Sequence, residues 1–85
     1  MSTKTLLAPP PTVVVYDVMR EASNRLQGRL FALERQDTTP GARERVLAAC
    51  AAIQGRVDAV DSRDRDAIVR LDAELRAEFA ALPHP

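Results

Sequence analysis

Three apolar stripes with a helical period occupy almost the whole of this chain and use nearly all of its large apolar residues. They run Val15–Met19–Ala22–Leu26–Leu30–Leu33, Val46–Cys50–Ile53–Val57–Val60 and Ile68–Leu71–Leu75–Phe79–Leu82. Steps of three and four residues put each set on one side of an α-helix, and an apolar side must be buried against another. Short connections between long helices make sequential neighbours antiparallel. The expected fold is therefore all-α: an antiparallel up-down-up three-helix bundle over residues 12–83, preceded by a Pro-rich, flexible N-terminal arm, residues 1–11.

The punctuation between the stripes places helices at about 12–35, 40–60 and 62–82. Pro9, Pro10 and Pro11 cannot propagate a helix, which ends the arm. Thr12 has the side chain of an N-cap, with Asp17 and Glu21 toward the positive end of the helix dipole. The run Val13–Val14–Val15–Tyr16 favours strand by itself, but it merges into the 3.6-residue pattern and has no second strand to pair with. Thr39 followed by Pro40 reads as cap and first helical residue of the second helix. Asp61 or Ser62 reads as the cap of the third, with Asp64 and Asp66 in its first turn. Gly28 costs the first helix about 1 kcal/mol relative to Ala, so it marks either a close backbone approach or a weak point. The small residues Ala48, Ala49, Ala51, Ala52 and Gly55 suggest close approach of neighbours along the second helix. Glu21–Arg25, Asp66–Arg70 and Asp72–Arg76 are spaced as i,i+4 ion pairs with the acid first, the favourable order.

An 85-residue chain is near the size at which one core only just offsets chain entropy, a physical reason to expect association with a partner or with itself. The formal net charge is zero, which argues against broad attraction to nucleic acid or to an anionic membrane. The charge is nevertheless unevenly spread: residues 1–56 carry eight basic against five acidic groups, and residues 57–85 four against seven. The third helix is thus the acidic one. A single cysteine excludes an intramolecular disulfide, and Cys50 on an apolar stripe reads as a buried thiol. No apolar run approaches the ~20 residues of a membrane span, and the N-terminus lacks the pattern of a secretory signal. A cytoplasmic location is expected.

No grouping of residues suggests catalysis, so the chain is read as a non-enzyme with no cofactor and no metal. His84, the one histidine, lies between prolines in the C-terminal tail. Gly28, Gly41 and Gly55 are isolated and form no phosphate loop. Asp58, Asp61, Asp64 and Asp66 lack the glycine and terminal glutamate of a calcium loop and read as capping and surface charge. Small three-helix enzymes of the chorismate mutase kind need arginines inside the bundle, and only Arg29 borders a stripe here. The arginines of the first helix, Arg20, Arg25, Arg29 and Arg35, do not share one face, which weighs against DNA binding.

The stripes leave one remainder. On the first helix Phe31 projects far from Val15, on the polar side, in company with Arg20, Asn24 and Gln27; Val13 points the same way and Tyr16 lies at the margin. Either Phe31 folds over the Asp37–Gly41 turn and Tyr16 joins a wide core stripe, or Val13, Tyr16, Arg20, Asn24, Gln27 and Phe31 form a second stripe that faces a partner.

The segment Val57–Asp58–Ala59–Val60–Asp61–Ser62–Arg63–Asp64–Arg65–Asp66–Ala67–Ile68, followed by Leu71 and Leu75, resembles short helical proteins found beside toxin genes in actinobacteria. It is similar in particular to small antitoxins paired with zeta-type kinase toxins. The likeness covers about a quarter of the chain and rests on a helix–cap–helix pattern. It implies a three-helix antitoxin that blocks the nucleotide pocket of a toxin, largely through its first helix, although no residue of that helix carries a motif of the family. The expected function is a non-enzymatic protein-binding module of a bacterial toxin–antitoxin system, binding and neutralising a toxin-like enzyme. A self-associating structural or adaptor bundle is the alternative, with a DNA-binding regulator behind it.

Overall fold

The computed structural model describes residues 9–85. Their helices are α1 (Thr12–Glu34), α2 (Ala42–Ala59) and α3 (Arg65–Ala81), with no strand among the described residues. Most of the expected 1–11 arm lies outside the described residues. Its last residues are tied to the bundle: the Pro10 carbonyl accepts a 2.7 Å hydrogen bond from Arg65 Nη1.

The helix starts differ in detail from expectation, each for a local reason. Pro11 occupies the N-cap of α1, with Thr12 as the first helical residue and no side-chain cap. The Pro11 carbonyl instead accepts from the Val14 and Val15 N–H groups at 3.0 and 3.2 Å. Pro40 is not the first residue of α2. The Asp37 carboxylate accepts from the Thr39 N–H at 2.9 Å and from its hydroxyl at 2.6 Å, and Arg45 donates to Thr39 Oγ1 and to the Pro40 carbonyl. The Thr39 hydroxyl is thereby committed to the turn, and the helix starts after Gly41, whose φ of 79° suits glycine. Asp64, rather than Asp61 or Ser62, caps α3, accepting from the Ala67 N–H at 3.1 Å, while Asp61 accepts from the Arg63 N–H. Of the three i,i+4 pairs only Asp72–Arg76 forms, at 2.9 Å; Glu21, Arg25, Asp66 and Arg70 make no ion pair among the described residues.

The three stripes meet as expected. Met19, Ala22 and Leu26 of α1, Ile53 and Val57 of α2, and Ile68, Leu71 and Leu75 of α3 form the core. Val15, Tyr16, Leu30, Val60, Phe79 and Leu82 pack around it, and Cys50 is also buried. Ser23, which the stripe reading passed over, is fully buried on the same side of α1, with its hydroxyl accepting from Gln27 Nε2 at 3.0 Å. Leaving that hydroxyl without a partner in the core would cost about 1–3 kcal/mol.

Chain direction follows from the cross-links. Glu34 meets Arg43 and Gln27 meets Gln54, so α1 and α2 are antiparallel. Pro10 meets Arg65, and the Arg29 guanidinium lies over the Phe79 ring, 4.3 Å from its centre, so α1 and α3 are parallel. The bundle is up-down-up with α1 as its central element, against which both α2 and α3 pack closely. The α2–α3 contact is looser and is spanned by Arg56, which donates to Glu74 at 3.2 Å and to Glu78 at 2.7 and 3.0 Å. Beside this bridge lies an open, mostly apolar groove of about 450 Å³ walled by Leu26, Leu30, Ala49, Ala52 and Leu82. Neither Gly28 nor Gly55 marks a close approach, since a Cβ at either would have nothing within 4 Å. Of the small residues of α2, Ala48, Ala51, Ala52 and Gly55 are exposed. They permit an open groove rather than a tight seam.

Candidate partner-binding face

The six α1 residues outside the stripe follow one another in steps of three or four, so they form a single strip beside α2. The structure divides them. Val13 is 64% exposed, and Arg20 and Asn24 are exposed. Tyr16 is half-buried and packs against the core, so it is part of a wide stripe rather than free surface. Gln27 is half-buried and committed within the fold, donating to Ser23 Oγ and, at 3.2 Å, to Gln54 Oε1. Phe31 is half-buried but does not join the core.

What completes this strip comes from α2. Gln54 faces Gln27, and Leu47 stands seven residues, two turns, before Gln54, so both lie on the same side of α2. Phe31 is one turn beyond Gln27 on α1. The Cys50 thiol lies 3.9 Å from the Gln27 carbonyl, and Leu47 is one turn before Cys50, so in this antiparallel pair Leu47 comes level with Phe31. Leu47 is 46% exposed. The result is an apolar pair, Phe31 and Leu47, on the outer side of the α1–α2 seam, at one end of a polar strip that runs through Gln27 and Gln54 to Asn24 and Arg20. Gln54 in turn donates to Asp58 at 2.9 Å, which extends the polar strip. At the other end of the strip, Thr12, Val13 and Tyr16 line a shallow depression with Ser62 and Arg63 of the α2–α3 connection.

Sequence reasoning missed Leu47 because it sits off the α2 stripe amid alanines, where one more apolar residue carries no periodic signal. The available clue was its level with Phe31 once antiparallel packing is assumed.

The remaining polar groups serve the fold. The Cys50 thiol is buried against the Gln27 carbonyl, 3.9 Å away, and burial raises its pKa. The hydrogen bond from Arg56 holds the Glu78 carboxyl below its ordinary range, and the Thr39 hydroxyl and N–H do the same for Asp37. Among the described residues no three His, Cys, Asp or Glu side chains are grouped to hold a metal ion. No helix among them is long and apolar enough to cross a membrane. The arginines of α1 disperse: Arg29 lies over Phe79 and donates to the Pro83 carbonyl, Arg25 shares a cavity with Arg76, and Arg20 stands on the strip beside α2. No protein-family model, curated protein or solved structure matches the chain.

Proposed function

We propose that this chain is a non-enzymatic protein-binding module of the bacterial cytoplasm, an antitoxin-like inhibitor that neutralises a toxin-like enzyme through the outer face of its α1–α2 seam. The observation that supports this reading is that the exposed Leu47 comes level with the half-buried Phe31, which stands outside the core. Apolar side chains beside a strip of amides and an arginine have the mixed composition of a protein-binding surface. The dispersal of the α1 arginines favours a protein partner over nucleic acid, whose phosphates call for basic groups gathered on one face. The helix–cap–helix likeness to antitoxins adds the partner's class.

The test is co-purification of the tagged protein from its host, followed by assay of what is recovered. The expected result is a larger enzyme at near-equal stoichiometry, its activity falling on titration with the bundle. Leu47→Arg and Phe31→Arg are each expected to weaken that inhibition at least tenfold while leaving helicity unchanged. Recovery of no enzyme, or inhibition indifferent to both substitutions, overturns the reading.

A further inference from the structure

The α1–α3 seam holds a cavity that the fold leaves unfilled. It measures about 210 Å³, against the roughly 15 Å³ that one water needs, and is lined by Glu21, Ala22, Arg25, Arg76 and Phe79. Ala22 makes the hollow: it holds a stripe position between Met19 and Leu26, 7% exposed, where a larger side chain would occupy the space. Phe79 is half-buried and packs against the core, and the Arg29 guanidinium lies over its ring. The deeper lining is therefore apolar. The exposed lining, Glu21, Arg25 and Arg76, is charged.

These charges face a shared space without meeting across it. Arg76 is anchored through Nε, which donates to Asp72 Oδ2 at 2.9 Å, so both of its Nη groups are left without a protein acceptor among the described residues. The Arg25 guanidinium makes no hydrogen bond or ion pair among them, and neither does the Glu21 carboxylate, although Glu21 stands four residues before Arg25 and lines the same cavity as both arginines. Asp72 offsets Arg76 and Glu21 offsets Arg25, while Arg29 is engaged by the Phe79 ring and the Pro83 carbonyl. The lining thus has no net charge. A simple anion gains from the guanidiniums and loses to the carboxylate, whereas a molecule that carries both signs gains from each.

We propose that this cavity binds a free α-amino acid with an apolar side chain. Its carboxylate accepts from the forks of Arg25 and Arg76, its ammonium donates to Glu21, and its side chain lies against Ala22 and Phe79. Asp72 is a positioning residue that aims the Arg76 fork. So few ligand atoms give a weak site, with a Kd on the order of 1 mM. The cavity lies on the α3 side of α1, away from the Phe31–Leu47 pair on the α2 side, so the inference stands independently of the toxin-binding reading.

Titration of the isotope-labelled full chain with L-valine and L-methionine to about 20 mM, followed by amide chemical shifts, tests it, the assumed Kd setting the range. Propionate and propylamine, each carrying one of the two charges, are the controls. The expected result is a saturable shift centred on Glu21–Arg25 and Arg76–Phe79, with propionate and propylamine each binding about tenfold more weakly or worse. Arg25→Ala and Arg76→Ala are each expected to weaken amino-acid binding about tenfold. Glu21→Gln is expected to weaken it similarly while leaving propionate binding no weaker, which a merely structural role would not produce. Ala22→Met fills the hollow and is expected to abolish binding with no charge altered, circular dichroism being unchanged in all four variants. No saturable shift with either amino acid, propionate binding as tightly as they do, or binding indifferent to Glu21→Gln or to both arginine substitutions overturns the proposal.

Discussion

Helix α3 is held by two neighbours in different ways. Against α1 it presents Ile68, Leu71 and Leu75, all buried, and the contact is apolar and close. Against α2 it presents Glu74 and Glu78 to one arginine across an otherwise open groove. The first seam gains its strength from area removed from water, which salt and pH do not touch. The second gains from charge pairs whose side chains are 35–52% exposed, where solvent screening leaves about 1 kcal/mol or less. The difference teaches that α1 and α3 form the stable unit of the bundle and that α2 is the element free to lean.

Truncation at the apolar seam gives the largest expected effect. Leu75 is fully buried, and Leu75→Ala is expected to cost about 2–5 kcal/mol by denaturant titration, a large share of the stability of so small a domain. A loss under 1 kcal/mol would put the strength of the bundle elsewhere. Arg56→Ala is expected to cost at most about 1 kcal/mol, and that loss should shrink in molar salt while the Leu75 effect persists. Hydrogen exchange sharpens the same contrast: amides of α2 are expected to exchange faster than those of α1 and α3, and Arg56→Ala to widen the gap.

Acid supplies a milder probe. The Glu78 carboxyl titrates below its ordinary value of 4.5 because Arg56 donates to it, so its contribution is complete above that pH and is lost as the pH falls through the lowered value. Protection of α2 should decline over that acidic window in the parent and not in Arg56→Ala. The smallest effects come from the glycines. Gly28→Ala in α1 and Gly55→Ala in α2 meet no neighbouring atom, and each is expected to stabilise by about 0.5–1 kcal/mol through helix propensity, read as a rise in melting temperature.

The fold was legible because the period of 3.6 is the same property that buries the core. Fourteen of the sixteen stripe residues are buried or packed around the core, and eight of the nine buried apolar residues lie in the core cluster itself. What escaped was decided by competition among polar groups. Ser23 sits four residues after Met19 on the buried side of α1, yet hydropathy ignores a hydroxyl satisfied by Gln27. Thr39 has the chemistry of a cap, but Asp37 and Arg45 engage it first. Three acceptors lie within four residues before α3, and only the geometry selects Asp64. The candidate face was half legible: Phe31 stood out from the α1 pattern, whereas Leu47 gains meaning only from the level at which two antiparallel helices meet.

Cys50 turns the α1–α2 seam into something a chemist can time. It is the sole thiol in the chain, 7% exposed, and pressed against a carbonyl of the neighbouring helix. A reagent in solution reaches its sulfur only when α2 swings away from α1. The rate of alkylation is therefore a clock for that motion, ticking at the frequency of opening when reagent is plentiful and at its equilibrium population when reagent is scarce.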